Sequence, residues 1–316
     1  GVGLANYAID YVDGTLDVMI APLTITADDR TKGYGEAVTF AGTEFSAIGL
    51  RNADTVTSAE IASAGAAASA PVSGSPYAIT ITNAVGTGLS NYAISYVDGA
   101  LTISNALLII TANDTNKVYG ATVVFDGTEY TATGLQPGDS ITGLTITSVG
   151  AAASAAIGSY PVMPSAATGV GLANYAIDYV DGTLDVTIAP LTITADDRTK
   201  VYGEAVTFAG TEFTAVGLQN TDAVTSAEIA SAGAAAPAPV SGSPYAITIT
   251  NAVGTGLSNY AINYVDGALT ISNALLVITA NDTNKVYGAA VVFDGTEYTA
   301  TGLQSGDSIT GLTINS

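Results

Sequence analysis

The chain has 316 residues, with 28 acidic side chains against 7 basic ones, a formal net charge of -21, and no Cys, His or Trp. That balance leaves nothing to neutralise phosphates over a contiguous face, which argues against nucleic acid or an anionic membrane surface as partner. Without Cys or His there are no disulfides, thiolate nucleophiles, Zn–S sites or ordinary near-neutral proton shuttles.

The first predicted element is a hairpin in NYAIDYVDGTLDV, residues 6–18. Asp13-Gly14 reads as a two-residue type I′ turn, setting Val12 opposite Thr15, Tyr11 opposite Leu16, Ile9 opposite Val18 and Tyr7 opposite Ile20. Tyr7, Ile9 and Tyr11 then share one inward face, and a one-residue slip would turn that stripe to solvent. The opposite face sets Asp10 against Asp17, and like charges across a ladder disfavour pairing. Two readings stay open there: water screens the pair, or a cation such as Ca²⁺ sits between the carboxylates. Two carboxylates do not complete a Ca²⁺ shell. Asp28, Asp29, Asp196 and Asp197 are candidates to add ligands. Asp178 and Asp185 recreate the pair, whereas Ser95/Thr102 and Asn263/Thr270 replace it in alternate copies.

An opening strand, written ALLIITAND at 106–114 and entered through APL at 21–23 in this copy, follows and leads to Lys32 and Tyr34-Gly35, a predicted turn or bulge with the tyrosine half-buried and its hydroxyl at the surface. A TEF strand carrying Glu44, an Ala-rich stretch at 59–76, a SPYAITI strand and a closing NYAISYVDGALTIS complete the unit. Period-two runs of Val, Ile, Thr and Tyr, punctuated by Gly, Asp and Pro, predict strands throughout. The Ala-rich stretches at 59–76 and 148–169 hold too much Gly, Ser and Pro for helix and are expected to be strand and loop. No apolar run approaches the ~18 residues of a membrane helix. Gly1 is not an initiator Met and no signal peptide follows it, so an excerpt or processed form of something longer is expected.

The unit then repeats. The NYAI tyrosine recurs as Tyr7, Tyr92, Tyr175 and Tyr260, and a lysine recurs as Lys32, Lys117, Lys200 and Lys285, both at spacings of 85, 83 and 85 residues. Residues 1–148 laid over 169–316 differ at 13 positions, the mark of recent tandem copying. This gives full units at 22–105, 106–189 and 190–273, the closing hairpin of one at 1–21 and the first half of another at 274–316. Closing strands run almost directly into opening strands, so hinge motion at the junctions is expected to be restricted.

Two readings of the repeated lysine stay open. Its stem packs on the sheet while the ammonium meets a nearby acid, or it forms an isopeptide crosslink with Asn6, Asn91, Asn174 or Asn259. The repeated Glu44, Glu129, Glu212 and Glu297 stand in GTEF or GTEY. A residue repeated along an array is expected to be structural rather than catalytic, and no nucleophile–base pair can be assembled without His or Cys. The chain is expected not to be an enzyme.

Together, LTITADDRTKVYG, TEFTAVGL, SPYAITI and NYAINYVDGALTIS resemble the bacterial MBG repeat of the YGX type and its YDG-like relatives. The resemblance covers essentially the whole chain, most specifically in the K-x-Y-G start and the NY-x-I…LTI close. It implies small Ig-like modules in a long exported surface protein of a Gram-negative bacterium, such as an adhesin, and it transfers no catalytic residues.

The expected fold is all-β: a tandem array of small Ig-like β-sandwich modules in an extended rod, with β-grasp-like modules as the alternative. The expected role is a stalk or fibre segment of a bacterial surface adhesin, its partners being neighbouring repeats. A head-to-tail filament built by strand complementation and a glycan- or protein-binding adhesin module are the alternatives.

Overall fold

The computed structural model describes residues 1–316. Every regular element is a β-strand or a three-residue 3-10 turn, as the period-two pattern demands. The first complete repeat holds seven strands: β1 (Ala21–Ala27), β2 (Arg30–Gly33), β3 (Phe45–Ile48), β4 (Thr55–Ala62), β5 (Tyr77–Thr87), β6 (Tyr92–Val97) and β7 (Gly99–Ser104). The second repeats them as β8 (Ala106–Ala112), β9 (Thr115–Val118), β10 (Tyr130–Thr133), β11 (Ser140–Thr147), β12 (Gly158–Val170), β13 (Tyr175–Val180) and β14 (Gly182–Thr187). In the third they are β15 (Ala189–Ala195), β16 (Arg198–Val201), β17 (Phe213–Val216), β18 (Ala223–Ala230), β19 (Tyr245–Thr255), β20 (Tyr260–Val265) and β21 (Gly267–Ser272). A further pair, β22 (Val277–Ala280) and β23 (Tyr298–Thr301), follows.

The first repeat is a β-sandwich, with one sheet ordered β3-β1-β6 and the other β4-β5-β7-β2. Alternation in β1 buries Leu23, Ile25 and Ala27. They meet Ile79 and Ile81 of β5, Leu101 of β7 and Tyr92 of β6 in one core. The third repeat builds the same core from Leu191, Ile193, Ile247, Ile249, Tyr260 and Leu269. No helix covers either sheet, which removes the β-grasp alternative. The stretch 59–76 supplies the end of β4 and turns, and the stretch 148–169 supplies turns and all but the last residue of β12.

The predicted hairpin is corrected. Strands β6 and β7 are separated by Asp98 alone, yet they lie in different sheets: β6 pairs in parallel with β1, and β7 pairs with β5 and β2. Gly99 does not take the positive φ that a type I′ turn needs. It is glycine because β7 passes so near β1 that a Cβ there would stand 2.6 Å from the Ala27 carbonyl oxygen. Tyr92 and Leu101 still enter one core, but from opposite sheets. The same alternating pattern satisfies both arrangements, so it could not distinguish them.

The N-terminal copy departs further. Residues 7–20 form no strand, and Tyr7, Tyr11 and Leu16 are 74%, 85% and 89% exposed. Ile9 is exposed as well, so Tyr7, Ile9 and Tyr11 form no inward stripe, and Asp13-Gly14 lies outside any strand pair. In the complete repeats the equivalent strand pairs with its own opening strand, as Tyr92 does with Ala21.

Candidate functional site

The polar groups that join one repeat to the next form the most fully built site in the molecule. At the end of β2 the Tyr34 amide donates to the Ser104 carbonyl, 2.9 Å, which fixes the tyrosine beside the end of β7. The Tyr34 ring is 8% exposed and stands edge-on to Tyr175, with centroids 5.4 Å apart and planes at 79°. Its hydroxyl donates to Asp139 Oδ2 at 2.9 Å, and the Tyr175 hydroxyl donates to the same oxygen at 2.6 Å. Tyr175 Oη in turn accepts the Gln136 amide at 2.8 Å. Thus a tyrosine of the first repeat completes a Tyr–Asp pair belonging to the second.

The surrounding groups close the joint. Asn174 Oδ1 accepts the Val72 amide of the preceding repeat at 2.9 Å, while its Nδ2 donates to Gly171 O at 3.0 Å. Gly35, at φ 91°, leaves room for Gln136, whose side chain a Cβ would meet at 2.4 Å. Tyr34, Ala70 and Ile103 share an apolar cluster with Leu108, Ile110 and Tyr175. Only Asn105 separates β7 from β8.

The joint recurs between the second and third repeats. Tyr119 and Tyr260 both donate to Asp222 Oδ2, at 2.8 and 2.7 Å, with rings 5.5 Å apart at 84°. Asn259 Oδ1 accepts the Ile157 amide at 3.1 Å, and Asn220 Nδ2 donates to the Ala153 carbonyl at 3.2 Å. After the third repeat Tyr202 donates to Asp307 at 3.1 Å. In the first repeat Tyr92 and Asp54 make the same pair, 2.9 Å, with Arg51 where the later copies have glutamine.

Electrostatics follow from this geometry. Burial, then the Asp139 carboxylate, push Tyr175 up to about 12. Burial also pushes Tyr260 up to about 12, Asp222 adding to the rise against an opposing bond from the Gln219 amide. Tyr34 and Tyr119 are raised by burial first and by their aspartate second. Each hydroxyl keeps its proton and donates it to a shared carboxylate. The predicted surface position of the Tyr34 hydroxyl is therefore corrected: it is the inter-repeat contact. The signal that could have found it is the pairing of K-x-Y-G with a Q-x-x-D about 105 residues later, as in Gln136–Asp139 and Gln219–Asp222.

Lys32, Lys117 and Lys200 are buried, but their ammonium groups meet carbonyl oxygens rather than carboxylates. Lys32 Nζ donates to Glu36 O at 2.9 Å and to Ala67 O, Lys117 to Ala121 O and Ala152 O, and Lys200 to Glu204 O and Ala235 O. Each pins the Ala-rich loop to the sandwich. Burial pushes Lys32 and Lys117 down, the Glu36 charge partly offsetting it at Lys32. The Asn174 and Asn259 amides are committed to the joints, so the structure does not bring them to the lysines as an isopeptide bond requires. Lys285 is exposed.

The Ca²⁺ candidates are not brought together. Asp10 and Asp17 lie in the strandless stretch, whereas Asp178 pairs with Ile109 in one sheet and Asp185 with Asn116 in another. Asp185 accepts a hydrogen bond from Ser159 Oγ. The repeated glutamates are turn caps. Glu44 accepts the amides of Ala41, Gly42 and Thr43 at 2.8–3.0 Å, and those bonds, with Ala41's the largest, hold its carboxyl below the usual range. Glu212 repeats this, and Arg30 and Arg198 lie 3.8 Å from the two carboxylates.

The family model described as MBG domain (YGX type) matches residues 23–102, 108–185 and 191–270. No curated protein matches the sequence. Tyr34-Gly35 and Tyr119-Gly120, which enter the joints, lie inside the first and second matched segments.

Proposed function

From a chain that belongs to the MBG domain family of the YGX type, we propose a spacer: the stalk segment of an exported bacterial adhesin, holding a functional region away from the cell surface. The observation that carries this reading is the Tyr–Asp–Tyr joint, built twice from the same residues at successive repeats. A joint that buries an aromatic ring and satisfies its hydroxyl fixes the angle between neighbours, which a flexible linker would not. Repetition with nearest-neighbour contacts then converts repeat number into reach. The charge of -21 keeps like segments apart in solution.

The polar groups that recur in every repeat are committed to caps, loop pins and joints, so the reading assigns the chain no catalysis. Its partners are neighbouring repeats, not nucleic acid and not lipid, and its place is the bacterial exterior. No helix is long and apolar enough to cross a membrane. The test is small-angle scattering of this chain beside one with residues 22–189 duplicated in tandem. A spacer lengthens by a fixed increment for each added repeat. A maximum dimension that fails to grow, or tight binding to one glycan or host protein by a single repeat, would assign a different role.

A further inference from the structure

In the first repeat the opening segment, residues 21–33, and the closing segment, residues 92–104, run parallel along their whole length. Ala21 to Thr26 pair with Tyr92 to Val97 in one sheet, and Arg30 to Gly33 pair with Leu101 to Ser104 in the other. The separation is 71 positions from the first pair to the last, so the two segments change sheets together at Asp28-Asp29 and Asp98 without slipping. The third repeat keeps the same separation from Ala189↔Tyr260 to Val201↔Ser272. Side chains tie the crossing point: Asp29 Oδ1 accepts the Ala100 amide and Asp197 Oδ1 the Ala268 amide, both at 2.7 Å. Leu23, Ile25, Leu101 and Ile103 bury one side of the pair.

The covalent path gives this arrangement its consequence. The chain enters a repeat at the start of the opening segment and leaves at the end of the closing one, which passes through a single residue, Asn105, into the next opening strand. In a parallel pair those two points are at opposite ends. Tension along the chain therefore slides one segment along the other and loads all ten paired positions at once. Residues 34–91 stand outside that path while the pair holds. Pulling both segments from the same end would instead open the ladder one pair at a time.

We propose that the parallel opening and closing segments are a mechanical clamp, and that bearing tension is a function of this chain in addition to spacing. The proposal rests on the spacer reading, because only a chain anchored at both ends is pulled through its backbone.

The chain has no native cysteine, so introduced cysteines are unique handles for single-molecule force spectroscopy. Full-length chain carrying Pro22→Cys and Asn105→Cys pulls the first repeat in shear, whereas Pro22→Cys with Ala93→Cys peels the same pair from one end. Rupture in shear is expected at several-fold higher force. Equal forces overturn the clamp. Pro190→Cys with Asn273→Cys, against Pro190→Cys with Ala261→Cys, repeats the comparison in the third repeat if a first-repeat variant fails to fold. Pulled end to end, the chain is expected to give three unfolding steps of about 250 Å, the extended length of residues 21–104 less the folded clamp; a trace without steps also overturns the proposal. Equal forces with an intact scattering increment per repeat sink the clamp and leave the spacer. A lost increment with a large force ratio sinks the spacer alone.

Discussion

Truncating one joint tyrosine measures how strongly neighbouring repeats hold each other. Tyr34→Phe keeps the buried ring and its edge-on contact with Tyr175 and removes only the bond to Asp139. A hydrogen bond to a charged acceptor contributes about 1.5–3 kcal/mol, and the low end applies because Asp139 is only half-buried. Tyr34→Ala also empties the ring's site in the apolar cluster, where losing a buried aromatic costs about 3–5 kcal/mol. Shared partners make the two losses less than additive, so about 4 kcal/mol is expected for Ala against about 1.5 for Phe. Tandem arrays depart from two-state unfolding, which makes a single melting midpoint ambiguous. Hydrogen exchange by mass spectrometry reads the joint directly. Peptides around residues 67–74 and 134–140 are expected to exchange about a thousandfold faster in Tyr34→Ala. Tyr287→Ala is the internal control, since that ring is 104% exposed and surface changes fall within about 0.5 kcal/mol. If Tyr34→Ala moves exchange no more than Tyr287→Ala, the joint does not couple the repeats.

Alkaline titration at 295 nm is expected to show a late-ionising tyrosine class near pH 12 that Tyr175→Phe and Tyr260→Phe remove. Because these folded values lie above the ordinary tyrosine value, their contribution is fully present below about pH 10 and is lost as pH rises towards 12; flat stability across that window refutes it. Lys200→Met leaves the Glu204 and Ala235 carbonyls without their donor and is expected to destabilise the third repeat by about 1–3 kcal/mol, measured by urea unfolding. The intact mass is expected to equal the sequence mass, and a deficit of one ammonia per repeat would restore the isopeptide reading. Glu44 and Glu212 have depressed carboxyl values, so their caps hold at neutral pH and fail as pH falls through those values. In an acid melt Glu212→Gln should remove that part of the pH dependence.

The period of the strands and the period of the array were legible because both are written locally, the first in alternation and the second in copying. Which strand pairs with which was not. Asp-Gly between two alternating runs is the strongest local hairpin signal, and at Asp98-Gly99 it is overridden by partners distant in sequence: β1 for β6, and β2 and β5 for β7. The partners of the buried lysine are hidden for a related reason: they are main-chain carbonyls, one four residues on and one in the Ala-rich loop, and a carbonyl has no signature in a sequence. The tyrosine of K-x-Y-G failed to stand out because its partner lies in the next repeat, and a unit read alone leaves it looking like surface.

The joint also explains why copies are exchangeable. Each complete repeat presents a tyrosine at one end, Tyr34, Tyr119 or Tyr202, and a Tyr–Asp pair for the other, Tyr92/Asp54, Tyr175/Asp139 or Tyr260/Asp222. Such a contact is head-to-tail, with different residues contributed by the two sides. The alternating repeat types differ at Asp10, Ser95, Asp178 and Asn263, and at Arg30, Thr115, Arg198 and Thr283, while the tyrosines and aspartates of the joint stay fixed. Positions around them do vary, Asn220 at the second joint standing where the first has Pro137, but the two tyrosines and the aspartate do not. A chain lengthened by copying keeps working joints at every new boundary only while tyrosine and acceptor change together. Exchanging Asp139 for asparagine should accordingly weaken the first joint and leave the second, at Asp222, with its wild-type exchange rates; a loss at both would mean that the repeats fold as one block rather than through their separate joints.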